Sequence, residues 1–390
     1  MASTAQTVTR SLASQLPANV LGQIFYQLFH LNRRRIIDFN YTPCYFWLYV
    51  APLDEWQMPT EKDTDYRSMF PYNVAGVCKK WFKIVKPYPE FWDRLVLQLN
   101  GEVDGVDGVD LGGFPRGSGV TLDQVVPLAC TRVKADVNML SLYPASPDRE
   151  AGENQTVAAM IQLLNPHLKR CARVNLYVTF ASSIHVAVHT FAFKDWSANT
   201  LVLRSRIRPP MHYLSNEINP INDVDRLYTC LKRLVIDFDM FSAVYYNPPH
   251  SNRTFLGSLE ELTLRISGIN PPSAEFVVGA LSLISSTKIT IESDVKGTPP
   301  PSEPYARGDP WAKPVKGCKT LVLRSMGGVF IRDLLERVSM TDLVLEDCRL
   351  DLHLSKRQMM SMKTARLHNT PCERAVLREL KSRVRDVKKL

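Results

Sequence analysis

The sequence contains no Cys-x-x-Cys pair, although it has eight cysteines, at 44, 78, 130, 171, 230, 318, 348 and 372. A structural zinc needs closely spaced Cys/His pairs on tight turns, so no metal site of that class is expected. Each cysteine is read instead as a small buried apolar residue of a reducing compartment. Long apolar runs are missing too. The most apolar stretch is Phe46-Trp47-Leu48-Tyr49-Val50-Ala51, far short of the ~20 residues that span a bilayer. Met1 to Arg10 is polar and has no hydrophobic segment of the secretory kind, which favours a cytoplasmic or nuclear protein. There is no Gly-x-Ser-x-Gly elbow. Gly112-Gly113-Phe114-Pro115-Arg116-Gly117 lacks the lysine and the strand-to-helix setting of a phosphate loop. With these absences, no catalytic residue and no cofactor are expected.

The chain has 390 residues, 45% of them hydrophobic, enough for two or three domains or one long solenoid with a real core. The formal net charge of +9 is uneven. Residues 1–100 carry 11 Lys/Arg and 8 Asp/Glu, or +3; residues 101–160 carry 4 and 9, or −5; residues 161–390 carry 33 and 22, or +11. The basic excess of the second half suits an acidic partner or nucleic acid, but is read first as a solvated basic surface.

Two stretches near the N-terminus have helical periodicity. In Leu16–Leu28, Pro17 falls in the first turn, where its missing N–H is not needed. Val20, Leu21, Ile24 and Leu28 then recur at helical spacing, with Phe25 widening the stripe. Residues 73–85 read as a second helix with Asn73 as its cap. Val74, Val77, Cys78, Trp81 and Val85 line one face of it, and Pro87 and Pro89 stop it. Taken together, the Leu16-Pro17 opening, the Ile24-Phe25 pair, the Val77-Cys78-x-x-Trp81 helix, the proline-broken turn and Phe91-Trp92 resemble an F-box, in particular the fungal type that precedes leucine-rich repeats. The resemblance covers residues 12–95 and is carried by the two ends of that span. It implies docking onto a Skp-type adaptor through Leu16, Pro17, Ile24, Phe25 and Leu28 from the first helix and Val77, Cys78 and Trp81 from the second. It departs from the family in an insertion at about 32–72, much longer than the usual short connection. Two ordinary core helices are the alternative reading.

From residue 96 onward short apolar strands recur. Taking the second apolar residue of each as a marker gives Leu176, Leu203, Ile236, Leu264, Ile291, Leu323, Leu345 and Leu367, at steps of 27, 33, 28, 27, 32, 22 and 22. Helical stretches are predicted between them, among them Ala274–Ser285 and Val329–Ser339, and Val157–Leu164 leads into the first marked strand. This fits an irregular leucine-rich repeat, with parallel strands on a concave face and helices outside. Asparagine ladders are missing, and a plain α/β domain with a parallel sheet is the alternative. Gly101–Gly119, Asn247–Arg253 and Gly297–Asp309 read as loops. The domain order is then a tail at 1–11, an F-box-like module at 12–95, the repeats at 96–370, and a basic capping helix at 371–390.

The remaining motifs read as structural. Asp104, Asp107 and Asp110 have the wrong spacing for a calcium loop. His185 and His189 would form a metal pair on a helix, but Ile184, Val186 and Val188 alternate with them as in a strand, which makes the histidines its polar face. Arg33–Arg35 and Lys388-Lys389 are read as solvated charge. The function expected from the resemblance is that of a non-catalytic substrate receptor of an SCF-type ubiquitin ligase. Its partners would be the adaptor, a cullin-based scaffold and a target protein of unknown identity, with no membrane involved. Arg173, Asn175, Tyr177, Lys232 and Arg265 would face the target. A repeat scaffold without ligase association is the alternative, and a nucleic-acid-binding surface the third.

Overall fold

The computed structural model describes residues 15–38, 72–75, 77–92, 94–99, 109–111, 126–127, 135–191, 198–207, 231–245, 259–266, 272–282, 284, 286–293, 315, 317–350 and 361–389. The chain divides into two compact units. One comprises Met1–Gln98 with Val109–Asn138, the other Leu99–Gly108 with Met139–Leu390. The sequence reading set the boundary at 95/96 and left 109–138 with the repeats. Most of the insertion at 32–72, the loops at 247–253 and 297–309, and Asp104 and Asp107 lie outside the described residues.

The first unit is built on helix α1 (Ala18–Asp38). Pro17 precedes it, and its carbonyl accepts the N–H groups of Val20 and Leu21 at 3.1 and 3.0 Å. The helix runs ten residues past Leu28, through Arg33–Arg35, because arginine is a good helix former. Its apolar residues fall into two rows at four-residue spacing. Leu21, Phe25 and Phe29 are buried, whereas Val20, Ile24 and Leu28 are exposed.

The expected single helix at 73–85 is two pieces, α2 (Tyr72–Ala75) and α3 (Lys79–Val85). Between them Val77 closes a turn onto Val74, and Cys78 is extended at φ −166° and ψ 163°. Gly76 and the β-branched Val77 are weak helix formers, which lets the turn win. Past α3 the two prolines act as expected. A 3-10 turn covers Pro89–Trp92, and the buried Trp92 indole donates to the Val85 carbonyl at 3.1 Å. Strands β1 (Arg94–Leu99), β2 (Val109–Leu111) and β3 (Ala135–Ser141) follow.

The second unit is α/β with a parallel sheet. After α4 (Glu150–Leu164) come β4 (Cys171–Phe180), α5 (Ala181–Thr190), β5 (Thr200–Ile207), β6 (Arg233–Asp237), α6 (Phe238–Tyr245), β7 (Glu261–Ile266), α7 (Ala274–Leu281), β8 (Lys288–Ser293), β9 (Thr320–Arg324), α8 (Gly328–Leu335), β10 (Asp342–Glu346), β11 (Thr364–His368), α9 (Arg374–Arg383) and β12 (Asp386–Lys389). Each strand from β4 to β12 pairs in parallel with the next in sequence. All eight marker residues, Leu176 to Leu367, stand in one register row across these pairings. A second row, Val174, Leu201, Leu234, Leu262, Ile289, Leu321, Leu343 and Ala365, shares their face. Both rows are buried, and each such leucine or isoleucine contributes about 1.5–3 kcal/mol relative to exposure.

The ends of β9, β10 and β11 repeat one device. Ser325, Asp347 and Asn369 each take a positive φ, of 55°, 52° and 45°. The next residue then satisfies the strand ends: Cys348 Sγ donates to the Leu323 carbonyl at 3.2 Å, and Thr370 Oγ1 to the Leu345 carbonyl at 3.2 Å. In turn Met326 N–H donates to Cys348 Sγ at 3.5 Å and Cys348 N–H to Thr370 Oγ1 at 3.4 Å. A cysteine–threonine ladder thus stands where the sequence showed no asparagine ladder.

Two expectations are corrected. His185 and His189 lie on helix α5, not on a strand. The alternation of Ile184, Val186 and Val188 is overridden by tertiary bonds at the helix start: Ser182 Oγ donates to Glu150, and Ser183 Oγ to Glu153 at 2.6 Å. Glu153, fully buried, also accepts the N–H groups of Thr179 and Phe180 at 2.7 and 2.9 Å and a bond from Ser141 Oγ. The tail is not one helix either. α9 ends at Arg383, and β12 pairs with β11, bringing Lys389 opposite Leu367. Val376 and Leu380 are buried on α9, as is Val384 just beyond it.

Candidate functional site

The two N-terminal stretches come together in the first unit. Phe25 and Trp81 pack at 5.1 Å between ring centroids, Phe29 meets Phe91 at 4.9 Å, and Lys80 Nζ donates to the Leu16 carbonyl at 2.9 Å. Leu21, Phe25, Phe29, Val74, Phe82, Val85 and Trp92 form the interior. Five large apolar side chains stand exposed among the described residues, and all belong to this unit: Val20 (36%), Ile24 (41%), Tyr26 (43%), Leu28 (38%) and Val77 (56%). A groove of about 820 Å³ follows the outer row of α1, lined by Val20, Ile24 and Leu28 with Gln23, Gln27 and Tyr88 among the polar and aromatic edges.

The eight residues named for adaptor docking therefore divide. Pro17, Ile24, Leu28 and Val77 are exposed, and Leu16, Cys78 and Trp81 are half-buried. Phe25 is buried and supports the seam from within. The Trp81 Nε1 atom is buried with no hydrogen-bond partner among the described residues. Val77 owes its exposure to the break between α2 and α3, which turns it out of the helical face.

A second surface is the polar face of the sheet. One position past each marker stand Tyr177, Arg204, Asp237, Arg265, Glu292, Arg324, Glu346 and His368, and the register pairs Tyr177 with Arg204 and aligns Asp237 through His368. From Arg204 to Glu346 the charges alternate in sign. Arg204 Nη2 reaches across β6 and β7 to Glu292 Oε1 at 3.0 Å, and both side chains are 1% exposed. Arg324 joins Glu292 at 3.7 Å to Glu346 at 2.6 Å. Burial pushes the Glu292 carboxyl up, against the opposing pull of Arg204, Arg324 and Arg265. Asp237 accepts both the N–H and the hydroxyl of Ser205, at 3.0 and 3.1 Å. Nearer the strand starts, Glu261 pairs with Arg233 and Lys288, each at 3.3 Å.

Burial along this face changes from strand to strand. Of the residues expected to face a target, Asn175, Tyr177 and Arg265 are buried, Arg173 is half-buried, and Lys232 is exposed and paired with Glu260 at 2.8 Å. Toward the last strands the same face opens: Val344 and Glu346 are half-buried, Arg366 and Lys388 exposed. Arg366 and Lys388 are neighbours in register on β11 and β12. The reachable part of the polar face thus lies at the C-terminal strands rather than at β4–β7.

Among the described residues no group of three or more His, Cys, Asp or Glu gathers to hold a metal ion, and no helix is long and apolar enough to cross a membrane. No protein-family model matches the chain, and no curated protein matches it either. The sequence reading missed the charged row and the Glu153 cluster. The row had a signal, since its members each follow a marker by one residue. The cluster had none, because its bonds join β3, α4, β4 and α5 across intervals that no local window spans.

Proposed function

We propose that this protein is a substrate receptor of an SCF-type ubiquitin ligase, in which the first unit docks a Skp-type adaptor as an F-box and the second presents a target on irregular leucine-rich repeats. The observation that carries this reading is the double row on α1. Leu21, Phe25 and Phe29 satisfy the unit's own interior, which leaves Val20, Ile24 and Leu28 as a second apolar row, and Val77 is exposed in the same unit. A small module that exposes such a row gains by covering it with a partner, and a few anchors then dominate the binding. The repeat reading is supported by the strict register of the marker row. It is also supported by Met340-x-x-Leu343-x-Leu345-x-x-Cys348-x-Leu350, which follows the leucine-rich spacing with cysteine at the ladder position. The chain's contribution would be proximity, raising the effective concentration of target lysines near the transferred ubiquitin. The test is co-purification with a Skp-type adaptor. Ile24→Asp with Leu28→Asp is expected to abolish the complex while the protein stays folded, since both side chains are exposed. A folded wild-type chain that forms no complex would favour a repeat scaffold without ligase association.

A further inference from the structure

We propose that His185 and His189 form a two-imidazole site for a divalent transition-metal ion of the zinc, nickel and copper class. The pair is four residues apart on α5, the spacing that brings two side chains onto one helix face, and their rings already stand 4.3 Å apart between centroids. Imidazole is a good ligand for this class of metal and a poor one for magnesium or calcium. His185 Nδ1 is buried with no hydrogen-bond partner among the described residues, and is thus an acceptor or donor left unused by the fold. The backbone that carries the rings is well fixed. Ile184, Ala187 and Val188 are buried on the other side of α5, and the helix start is tied through Ser182 and Ser183 to Glu150 and Glu153. Two protein ligands leave the remaining positions of a tetrahedral shell to water or to a partner's side chain. The bound ion would clip one turn of α5 beside the first strands of the sheet. The site is independent of the ligase reading and would hold whether or not the first unit docks an adaptor.

The test is calorimetric titration of the full chain, freed of metal, with zinc and nickel chloride at pH 7.5, with magnesium chloride as the control. One saturable site for zinc or nickel and none for magnesium is expected, and His189→Gln is expected to weaken it at least about tenfold. Because His189 is exposed, that variant keeps the fold; His185→Gln provides the second arm. A hundredfold excess of metal over the wild-type dissociation constant is expected to raise the unfolding midpoint on the order of 5 °C in the wild type and by about half of that or less in His189→Gln. Equal binding by wild type and both variants would place the metal on other histidines of the eight and overturn the proposal, as would the lack of any saturable binding.

Discussion

Glu292 shows how the polar face is held at the level of one side chain. It is 1% exposed, and its two oxygens face Arg204 at 3.0 Å and Arg324 at 3.7 Å. Burying a charge costs several kcal/mol, which a well-placed partner offsets. Removing that charge breaks its ion pair with Arg204, itself 1% exposed. Glu292→Gln is therefore expected to destabilise the protein by about 3–5 kcal/mol in urea unfolding. The double variant Arg204→Met with Glu292→Leu is expected to lose much less than the two single changes summed, because the two opposite charges of the pair are removed together. His185 makes a separate prediction in pH. Its folded value of about 4 lies below the ordinary 6.5, so between those values the unfolded chain binds more protons. The stability from the neutral ring is full above pH 6.5 and is lost as pH falls through this window. Allowing for solvent screening of a ring that is partly exposed, the loss is about 1–2 kcal/mol. His185→Gln in metal-free buffer is expected to flatten the acid limb of urea midpoints measured from pH 4.5 to 7.5.

Between neighbouring elements, the ladder formed by Cys348 and Thr370 ties successive strand ends. Thr370 is 2% exposed; its hydroxyl accepts the Cys348 N–H and bonds the Leu345 and His368 carbonyls. Thr370→Val keeps the shape and removes the hydroxyl, so buried backbone groups lose their partner. A cost of about 1–3 kcal/mol is expected, with faster hydrogen exchange at Cys348 than in the wild type. The same scale separates what the sequence disclosed from what it hid. The strands were legible because each marker leucine or isoleucine repeats a period-two pattern that the sheet must honour to bury one face. The break at Val77 was hidden because a helical stripe persists through it in the sequence. α5 was hidden because Ile184, Val186 and Val188 alternate locally, while the bonds that make it a helix come from Glu150 and Glu153. β12 was hidden because Asp386–Lys389 has almost no apolar residue: it sits in the ninth strand position by pairing with β11, not by its own composition. In the first unit the sequence marked the stripe of α1 as far as Leu28, without Phe29, and could not assign Phe25 to the interior and Ile24 to the outside, since both lie within one broad apolar arc.

Across the whole molecule, the two units carry surfaces of opposite character, and this makes their roles separable. The first unit exposes an uncharged apolar row at Val20, Ile24 and Leu28. The second keeps its apolar rows buried, and its polar face becomes reachable at Arg366 and Lys388. Salt screens exposed charges and leaves apolar burial largely untouched. If the first unit binds an adaptor and the second a target, the two interactions must respond differently to the same perturbations. Ile24→Asp with Leu28→Asp is expected to abolish adaptor capture and leave target capture unchanged. Arg366→Glu with Lys388→Glu is expected to do the reverse, weakening target capture at least about tenfold, the effect of turning a favourable long-range field into a repulsive one. Raising salt from 50 to 300 mM is expected to mimic the second pair of substitutions and not the first. Adaptor pull-down and crosslinking-based recovery of target from the same preparations read both quantities at once. Were both captures lost together in either double variant, while circular dichroism reported an intact fold, the division of labour between the units would be refuted.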